Sequence, residues 1–160
     1  MMAFIYRKRK ILFSLGALFF GGMVVLLCFS PQPDFGQHIS TPGIVTYGRL
    51  IFLPTLFNSF VHLGDLDTPY KLFWVIGQNV VNIFLLTPFV FCLLGLCHRL
   101  RSYGRIALVS FGLSLGIECG QLLLDALFDF NRVFELDDLW TNTLGGIVAL
   151  VVFKGIQRYV

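Results

Sequence analysis

Apolar residues are concentrated in four long segments of this chain, with polar or basic stretches between them. The segments cover residues 11–29, 72–96, 106–124 and 139–153. A helix needs about 20 mainly apolar residues to cross the hydrocarbon layer of a membrane, and three of the segments reach or approach that length. The pattern therefore predicts an all-α integral membrane protein, a four-helix bundle in which residues 1–160 form one domain.

The first segment also resembles a signal peptide, because a basic stretch, "RKRK" at residues 7–10, precedes it. However, the sequence Cys28-Phe29-Ser30 offers no small-x-small cleavage site. The apolar core is also longer than that of a signal peptide. We therefore expect the first segment to be a retained membrane helix.

The connection between the first two segments is long, and its second half is apolar. This half reads "RLIFLPTLFNSFVHL" at residues 49–63, with Pro54 at a position that suits the first turn of a helix. Such a helix would carry large apolar side chains on one face: Leu53, Phe57, Phe60 and Val61. It is too short to span a membrane. We therefore expect an interfacial helix in the first external loop or, alternatively, a plain apolar cover over the bundle.

Composition agrees with a membrane protein, and the charges add an orientation. Charged residues make up 13% of the chain and apolar residues 56%, whereas soluble domains are about 25% charged. With a cytoplasmic N-terminus, nine of the 12 Lys and Arg residues fall inside: Arg7, Lys8, Arg9, Lys10, Arg99, Arg101, Arg105, Lys154 and Arg158. Because cytoplasmic loops are enriched in Lys and Arg, both termini are predicted to be cytoplasmic. The net charge of +3 follows from this orientation and gives no reason to expect a nucleic-acid partner.

Each of the last three segments carries one polar or small-residue face. On the third, residues three or four apart share a helical face: Ser110, Ser114, Glu118, Gln121 and Asp125. On the second, Asn82 lies one turn from Gln78 and Asn79. On the fourth, the same spacing joins four residues: Asp138, Asn142, Gly145 and Ala149. We expect these faces to turn inward and to meet in the outer half of the membrane.

Glu118 is the most costly of these residues to place in a membrane. An ionisable group near the bilayer centre costs at least about 2.5–3.5 kcal/mol, more than the roughly 0.6 kcal/mol of an average interhelical hydrogen bond. We therefore expect a functional role for Glu118, at a hydrated site, beside a cation or as a protonated carboxyl. Arg132 is the nearest external cation in the sequence, so a pairing with Glu118 or Asp138 is predicted.

The remaining polar and small residues of these faces have simpler interpretations. Interhelical hydrogen bonding is expected of four of them: Gln78, Asn79, Ser110 and Ser114. Gly145 and Ala149 are expected to allow close helix packing. The candidate functional site is then a polar cavity formed by six residues: Asn82, Glu118, Gln121, Arg132, Asp138 and Asn142. Because the histidines and cysteines lack metal-ligand spacing, we expect no metal and no cofactor.

Three blocks of the sequence resemble the VanZ-like family of small bacterial membrane proteins. The first is "NVVNIFLLTPFVF", which contains Asn82 and Pro88, and the second is "SLGIECGQ" around Glu118. The third, "NRVFELDDLWTNTLGG", matches the family pattern at six residues: Arg132, Glu135, Asp138, Asn142, Thr143 and Gly145. In this family a shorter Asp or Ser is usual at the position of Glu135. The resemblance covers residues 49–152.

The resemblance implies a multi-pass protein of the bacterial cell membrane, and it suggests resistance to teicoplanin, a glycopeptide with a lipid tail. It implies no reaction. The function we expect is to bind or shield a lipoglycopeptide or a lipid-linked cell-wall precursor, with membrane lipids as partners and the residues from Phe52 to Phe60 against the acyl part. An enzyme acting on envelope precursors through Glu118 and Asp138 is an alternative. A small proton-coupled transporter subunit is another.

Overall fold

The structure, a computed structural model, describes residues 2–32, 43–61 and 69–159. Five α-helices lie in these ranges: α1 (Met2–Phe29), α2 (Asn58–Val61), α3 (Pro69–Leu96), α4 (Tyr103–Phe128) and α5 (Leu136–Tyr159). A short 3-10 helix, His98–Leu100, lies between α3 and α4. Three short strands form one sheet: β1 (Val45–Tyr47), β2 (Leu50–Leu53) and β3 (Val133–Glu135). The strands lie together near the ends of the long helices, and we call this end of the bundle the sheet end.

Four helices are long and apolar enough to cross a membrane, as the sequence pattern predicted. Their spans are Arg7–Phe29, Ile76–Leu96, Tyr103–Phe128 and Leu136–Arg158. Many of their large apolar side chains point outward. Leu18, for example, is 74% exposed and Leu108 72% exposed. Such outward apolar surface is expected where lipid replaces water around the bundle. The chain is a multi-pass membrane protein.

Neighbouring helices along the chain run in opposite directions, so both termini lie opposite the sheet end. In α1 and α3, Gly16 lies beside Cys92, and Gly95 farther along α3 lies beside Phe13 near the start of α1. In α4 and α5, Ser114 contacts Asn142, and Ser110 lies beside Gly146. Helix α5 packs against both α3 and α4.

The bundle interior is divided into an apolar half and a polar half. Away from the sheet end, the buried core includes Val90, Leu94, Ile106, Leu150 and Phe153. Toward the sheet end, the buried side chains are mostly polar: Ser110, Ser114, Glu118, Gln121, Asp125, Asp137, Thr141 and Asn142. The apolar half needs only close packing, whereas each buried polar group in the other half requires a hydrogen-bond partner.

Small residues bring α3 and α5 close together, as predicted. An added Cβ on Gly145 would overlap the carbonyl oxygen of Ile83 on α3, and the Thr87 hydroxyl donates to the Gly145 carbonyl at 3.0 Å. Ala149, one turn further along α5, is fully buried. Because a carbonyl oxygen of a helix cannot move aside, the position of Gly145 requires a residue without a side chain.

The connection between α1 and α3 differs from the predicted interfacial helix. Residues Leu50–Leu53 form β2, and α2 covers only Asn58–Val61, so the helical start predicted at Pro54 is wrong. Phe57 has a φ of 57°, which is incompatible with a continuous right-handed helix through this position. The end of the predicted segment, His62 and Leu63, lies outside the described residues.

Strand β2 forms because it has two partners. It pairs in antiparallel fashion with β1 across a tight turn, where Gly48 has a φ of 62°. It also pairs in parallel with β3, so that Ile51 lies opposite Val133 and Leu53 opposite Glu135. The second pairing connects segments distant in the sequence and anchors the α1–α3 connection at the start of α5.

Candidate functional site

Asp138 is the centre of the polar half of the bundle. It lies in the first turn of α5, and its Oδ1 accepts a hydrogen bond of 2.5 Å from Nδ2 of Asn82 on α3. Its carboxyl group is also hydrogen-bonded to the carboxyl group of Glu118 on α4, which is 1% exposed. The two carboxyl groups therefore lie side by side in the polar half of the bundle.

Glu135, the residue before α5, adds a third carboxyl group near this pair. Its backbone N–H donates to Oε2 of Glu118 at 3.0 Å, and its own carboxylate accepts two bonds from Nε2 of Gln78, at 3.1 and 3.3 Å. Burial and the nearby charge of Asp138 raise the pKa of Glu135 from 4.5 to about 8, although the bond from Gln78 acts in the opposite direction. Strand β3 therefore positions a carboxyl group that resists losing its proton.

Asn142 extends the network one turn further into the bundle. Its Nδ2 donates to Oγ of Ser114 at 2.9 Å, and this hydroxyl donates to the backbone carbonyl of Asp138 at 3.0 Å. The amide oxygen of Asn142 and the hydroxyl of Ser110 are buried and make no hydrogen bond to any described residue. Two buried polar atoms in this interface thus lack a hydrogen-bond partner among the described residues.

Gln121 and Arg132 lie at the same end of the bundle but bind α1. Gln121 Nε2 donates to the carbonyl of Cys28 at 2.9 Å. The Arg132 guanidinium donates to the carbonyl of Leu27 at 2.7 Å and to that of Ser30 at 2.6 and 3.0 Å. It forms no ion pair with a described residue, so its predicted pairing with Glu118 or Asp138 is wrong. The last carbonyls of a helix lack intrahelical partners and bear partial negative charge, which explains why they attract the guanidinium.

Two further acidic residues shape the site without belonging to the predicted set. Asp125, fully buried, accepts the backbone N–H of Arg132 at 2.9 and 3.1 Å and so fixes the end of the α4–β3 connection. Asp137 accepts the backbone N–H of Phe57 at 2.6 Å and the indole N–H of Trp140 at 3.0 Å. The position of Asp125 on the polar face of α4 could have indicated from the sequence that this residue is buried at the site. Nothing in the sequence indicated the bond between Asp137 and Phe57.

An open apolar groove lies beside this polar network. It has a volume of about 420 Å³ and lies between α4 and α5 beside the α1–α3 connection. It is lined by Leu56, Phe111, Leu136, Leu139, Trp140, Thr143, Leu144 and Ile147. From Leu136 to Ile147 it follows α5 for roughly 16 Å, at about 1.5 Å per residue. Its upper end begins at Leu136, the residue after Glu135. The groove therefore starts at the depth of the carboxyl groups and continues into the apolar part of the span.

The fold thus brings together only some of the six predicted site residues. Four of its residues form one hydrogen-bonded network: Asn82, Glu118, Asp138 and Asn142. They bond to one another and do not surround an open cavity, and the open space lies in the groove. Among the described residues, no three His, Cys, Asp or Glu side chains are arranged as ligands for a metal ion. The network offers carboxyl groups and amides for hydrogen bonding.

These features define a class: a four-span membrane protein with a carboxyl–amide network at one end of its bundle. The VanZ/LLP1 family model matches residues 13–157, nearly the whole chain. The chain belongs to the VanZ/LLP1 family. Comparisons with curated proteins and with solved structures gave no significant match.

Proposed function

We propose that this protein binds a lipid-linked or lipid-tailed molecule of the bacterial cell envelope at the sheet end of its bundle. In this proposal the chain acts as one domain in the bacterial cell membrane, with the sheet end outside and both termini in the cytoplasm. The polar part of the ligand lies near Asp138, Asn82 and Glu135, and its tail lies in the groove between α4 and α5. Teicoplanin, with its lipid tail, is the ligand that we propose to test first.

The observation that carries this proposal is the position of the groove. An apolar groove of about 420 Å³ falls in the size range of small-molecule sites, about 300–1,000 Å³. It starts at Leu136, next in the chain to Glu135, and Trp140 in its lining binds Asp137, so a molecule bound there meets apolar side chains along its length and has acidic residues near one end. That is the distribution of polarity in a lipid-tailed molecule. Trp140, which lines the groove and donates its indole N–H to Asp137, lies where the two regions meet.

Resistance follows from such binding if the protein retains a lipid-tailed glycopeptide at the membrane and keeps it from its target. The test is susceptibility of a sensitive Gram-positive host that produces the wild type, Glu118→Gln, Asp138→Asn or Asp129→Asn at matched membrane levels. Asp129 is an exposed carboxylate at the end of α4 and serves as the control. We expect the wild type and Asp129→Asn to protect against teicoplanin but not against vancomycin, and the other two variants to lose protection. Absence of protection by the wild type would contradict the resistance role.

A second candidate function is favoured by the contact between Glu118 and Asp138. Two carboxyl groups in contact can act as an acid and a base toward a bound substrate. A membrane enzyme acting on envelope lipid or peptidoglycan precursors would use the pair in this way, and a small proton-coupled transporter subunit would use it to carry protons. Turnover of a labelled lipid-linked precursor by the purified protein, abolished in Glu118→Gln, would favour the enzyme. Proton uptake without a substrate, lost in the same variant, would favour the transporter.

A further inference from the structure

The end of the bundle opposite the sheet end carries many cations and no acidic side chain to offset them. It holds nine of the 12 Lys and Arg residues of the chain. Residues 1–33, 68–117 and 139–160, which supply the helices that meet there, contain no Asp or Glu. The acidic side chains that the structure describes all lie toward the sheet end. The positive charge of this end is therefore open to compensation by an external anion.

Contacts between the α3–α4 turn and α5 hold two of these cations near one another. The guanidinium of Arg101, in the turn, lies over the ring of Phe153 on α5, with its carbon 4.7 Å from the ring centroid. The ammonium group of the next residue, Lys154, lies over the ring of Tyr103 in the first turn of α4, 4.1 Å from its centroid. An aromatic ring positions a cation in this way without neutralising its charge.

Two further cations lie at the same turn. Nη1 of Arg105 donates to the backbone carbonyl of Arg99 at 2.7 Å, and both residues are exposed. Arg101 uses its Nε for the carbonyl of Leu94, and among the described residues its Nη groups have no acceptor. Like charges that are held close together repel one another and favour an anionic partner. We call these four residues the basic patch: Arg99, Arg101, Arg105 and Lys154.

The general enrichment of cytoplasmic segments in Lys and Arg explains only part of this arrangement. It determines on which side of the membrane the cations lie, and cations spread evenly around the bundle would satisfy it equally well. It gives no reason for Lys154 of α5 to meet the α3–α4 turn beside Arg101. Apolar surface continues from the patch into the membrane, since Leu108, one turn from Arg105 on the same face of α4, is 72% exposed. A molecule at this surface meets cations at one end and apolar side chains beyond them.

We propose that the basic patch binds the phosphate headgroup of an anionic phospholipid from the surrounding membrane, while the acyl chains lie along the exposed apolar face of α4. This site lies at the opposite end of the bundle from the ligand of the proposed function and does not depend on it. Guanidinium groups bind phosphate through paired N–H bonds, and an ammonium group adds a point charge. A zwitterionic phospholipid carries a cation of its own beside the phosphate, so the patch should prefer a lipid with a net negative charge.

The test compares two phospholipids that differ only in their headgroup. Purified protein in an uncharged maltoside detergent is titrated with phosphatidylglycerol or with phosphatidylcholine of identical acyl chains, and the bound lipid is counted by native mass spectrometry. We expect phosphatidylglycerol to reach half-saturation at a concentration at least about tenfold lower than phosphatidylcholine. Added salt should reduce this difference. Inorganic phosphate in large excess should not displace the lipid, because it has no acyl chains.

Variants of the patch should weaken the binding of phosphatidylglycerol alone. Lys154→Gln and Arg105→Gln should each raise its half-saturating concentration about fivefold and leave that of phosphatidylcholine unchanged. Lys154→Arg keeps the charge and should bind as the wild type does. Arg49→Gln is the matched control, because it removes one exposed cation from the turn between β1 and β2, at the sheet end.

The wild type alone can overturn this inference, since equal half-saturation by the two phospholipids would exclude an anionic-lipid site without any variant. An effect of Arg49→Gln as large as that of Lys154→Gln would show that overall charge, and not the patch, attracts the lipid. Displacement by inorganic phosphate would replace the lipid with a free anion as the ligand. None of these outcomes involves the groove between α4 and α5, so the proposed function is judged separately.

Discussion

Asp138 of α5 has hydrogen-bond partners on both α3 and α4, so this one residue connects three helices. Its carboxyl group binds Asn82 of α3 and Glu118 of α4, and its backbone carbonyl accepts the hydroxyl of Ser114, also on α4. In a membrane such a residue is costly to bury, and its partners have to offset that cost. Arg132 is the external cation nearest to Asp138 in the sequence, but its guanidinium binds carbonyls of α1.

Arg132 and Asp138 should contribute independently to stability. We expect Arg132→Lys to lower the free energy of unfolding by about 1–2 kcal/mol, because an ammonium group cannot reproduce the planar set of bonds to Leu27 and Ser30. The double variant with Asp138→Asn should equal the sum of the single effects within about 0.5 kcal/mol. Reversible denaturation in detergent measures all four proteins. A coupling well above that value would restore the ion pair predicted from the sequence.

Glu135 should make stability fall as the pH rises. Its pKa is about 8 in the folded protein and 4.5 ordinarily, so between these values the unfolded chain has lost a proton that the folded one keeps. The folded state is then disfavoured by up to about 1.4 kcal/mol per pH unit across that window. The groups that face Glu135 are Gln78 of α3, Glu118 of α4, and Asp137 and Asp138 of α5.

We would measure the melting temperatures of the wild type and of Glu135→Gln from pH 4.5 to pH 8.5, a range that includes the pKa of about 8. Glutamine keeps an acceptor for Gln78 but has no titrating proton. The wild type should lose more stability than the variant as the pH rises, so the two curves diverge toward pH 8. Parallel curves across the whole range would show that Glu135 titrates normally.

At the scale of elements, the close contact of α3 and α5 depends on Gly145. Gly145→Ala should destabilise the bundle by about 1–3 kcal/mol, because the added methyl group meets the carbonyl oxygen of Ile83 and forces the helices apart. Gly155→Ala, also on α5, has open space around it and should be neutral or slightly stabilising. Thermal unfolding in detergent distinguishes them, and equal melting temperatures would contradict this packing.

The long helices and their polar faces were predictable because both depend on local patterns. Apolar length marks the spans, and spacings of three and four residues put Glu118 and Asp138 on inward faces. The sheet was not predictable in this way, since Leu50–Leu53 is a strand only through β3, which follows three helices later in the chain. The partner of Arg132 was missed for a related reason. Sequence proximity suggested carboxylates, while the fold brings the end of α1 closer.

At the scale of the whole molecule, the charges predict an orientation that labelling can test. Tyr47 on β1 and Gln157 near the end of α5 are both exposed and lie at opposite ends of the bundle. In a background without the four native cysteines, Tyr47→Cys should react with a membrane-impermeant maleimide in intact cells. Gln157→Cys should react only after the membrane is opened. The reverse pattern would place the carboxyl network and the groove on the cytoplasmic side and contradict the proposed access from outside.

The binding of teicoplanin itself tests the central claim, that the sheet end holds a lipid-tailed ligand. We would titrate the purified protein in nanodiscs with teicoplanin and with teicoplanin whose fatty acyl chain has been removed, following heat release. The wild type should bind the intact molecule at least about tenfold more tightly than the deacylated one. Leu144→Phe, which fills the groove, should abolish that difference, and Val151→Phe, on an exposed part of α5 outside the groove, should preserve it. Equal binding of the two molecules, or a preference that Leu144→Phe leaves unchanged, would contradict a tail site between α4 and α5.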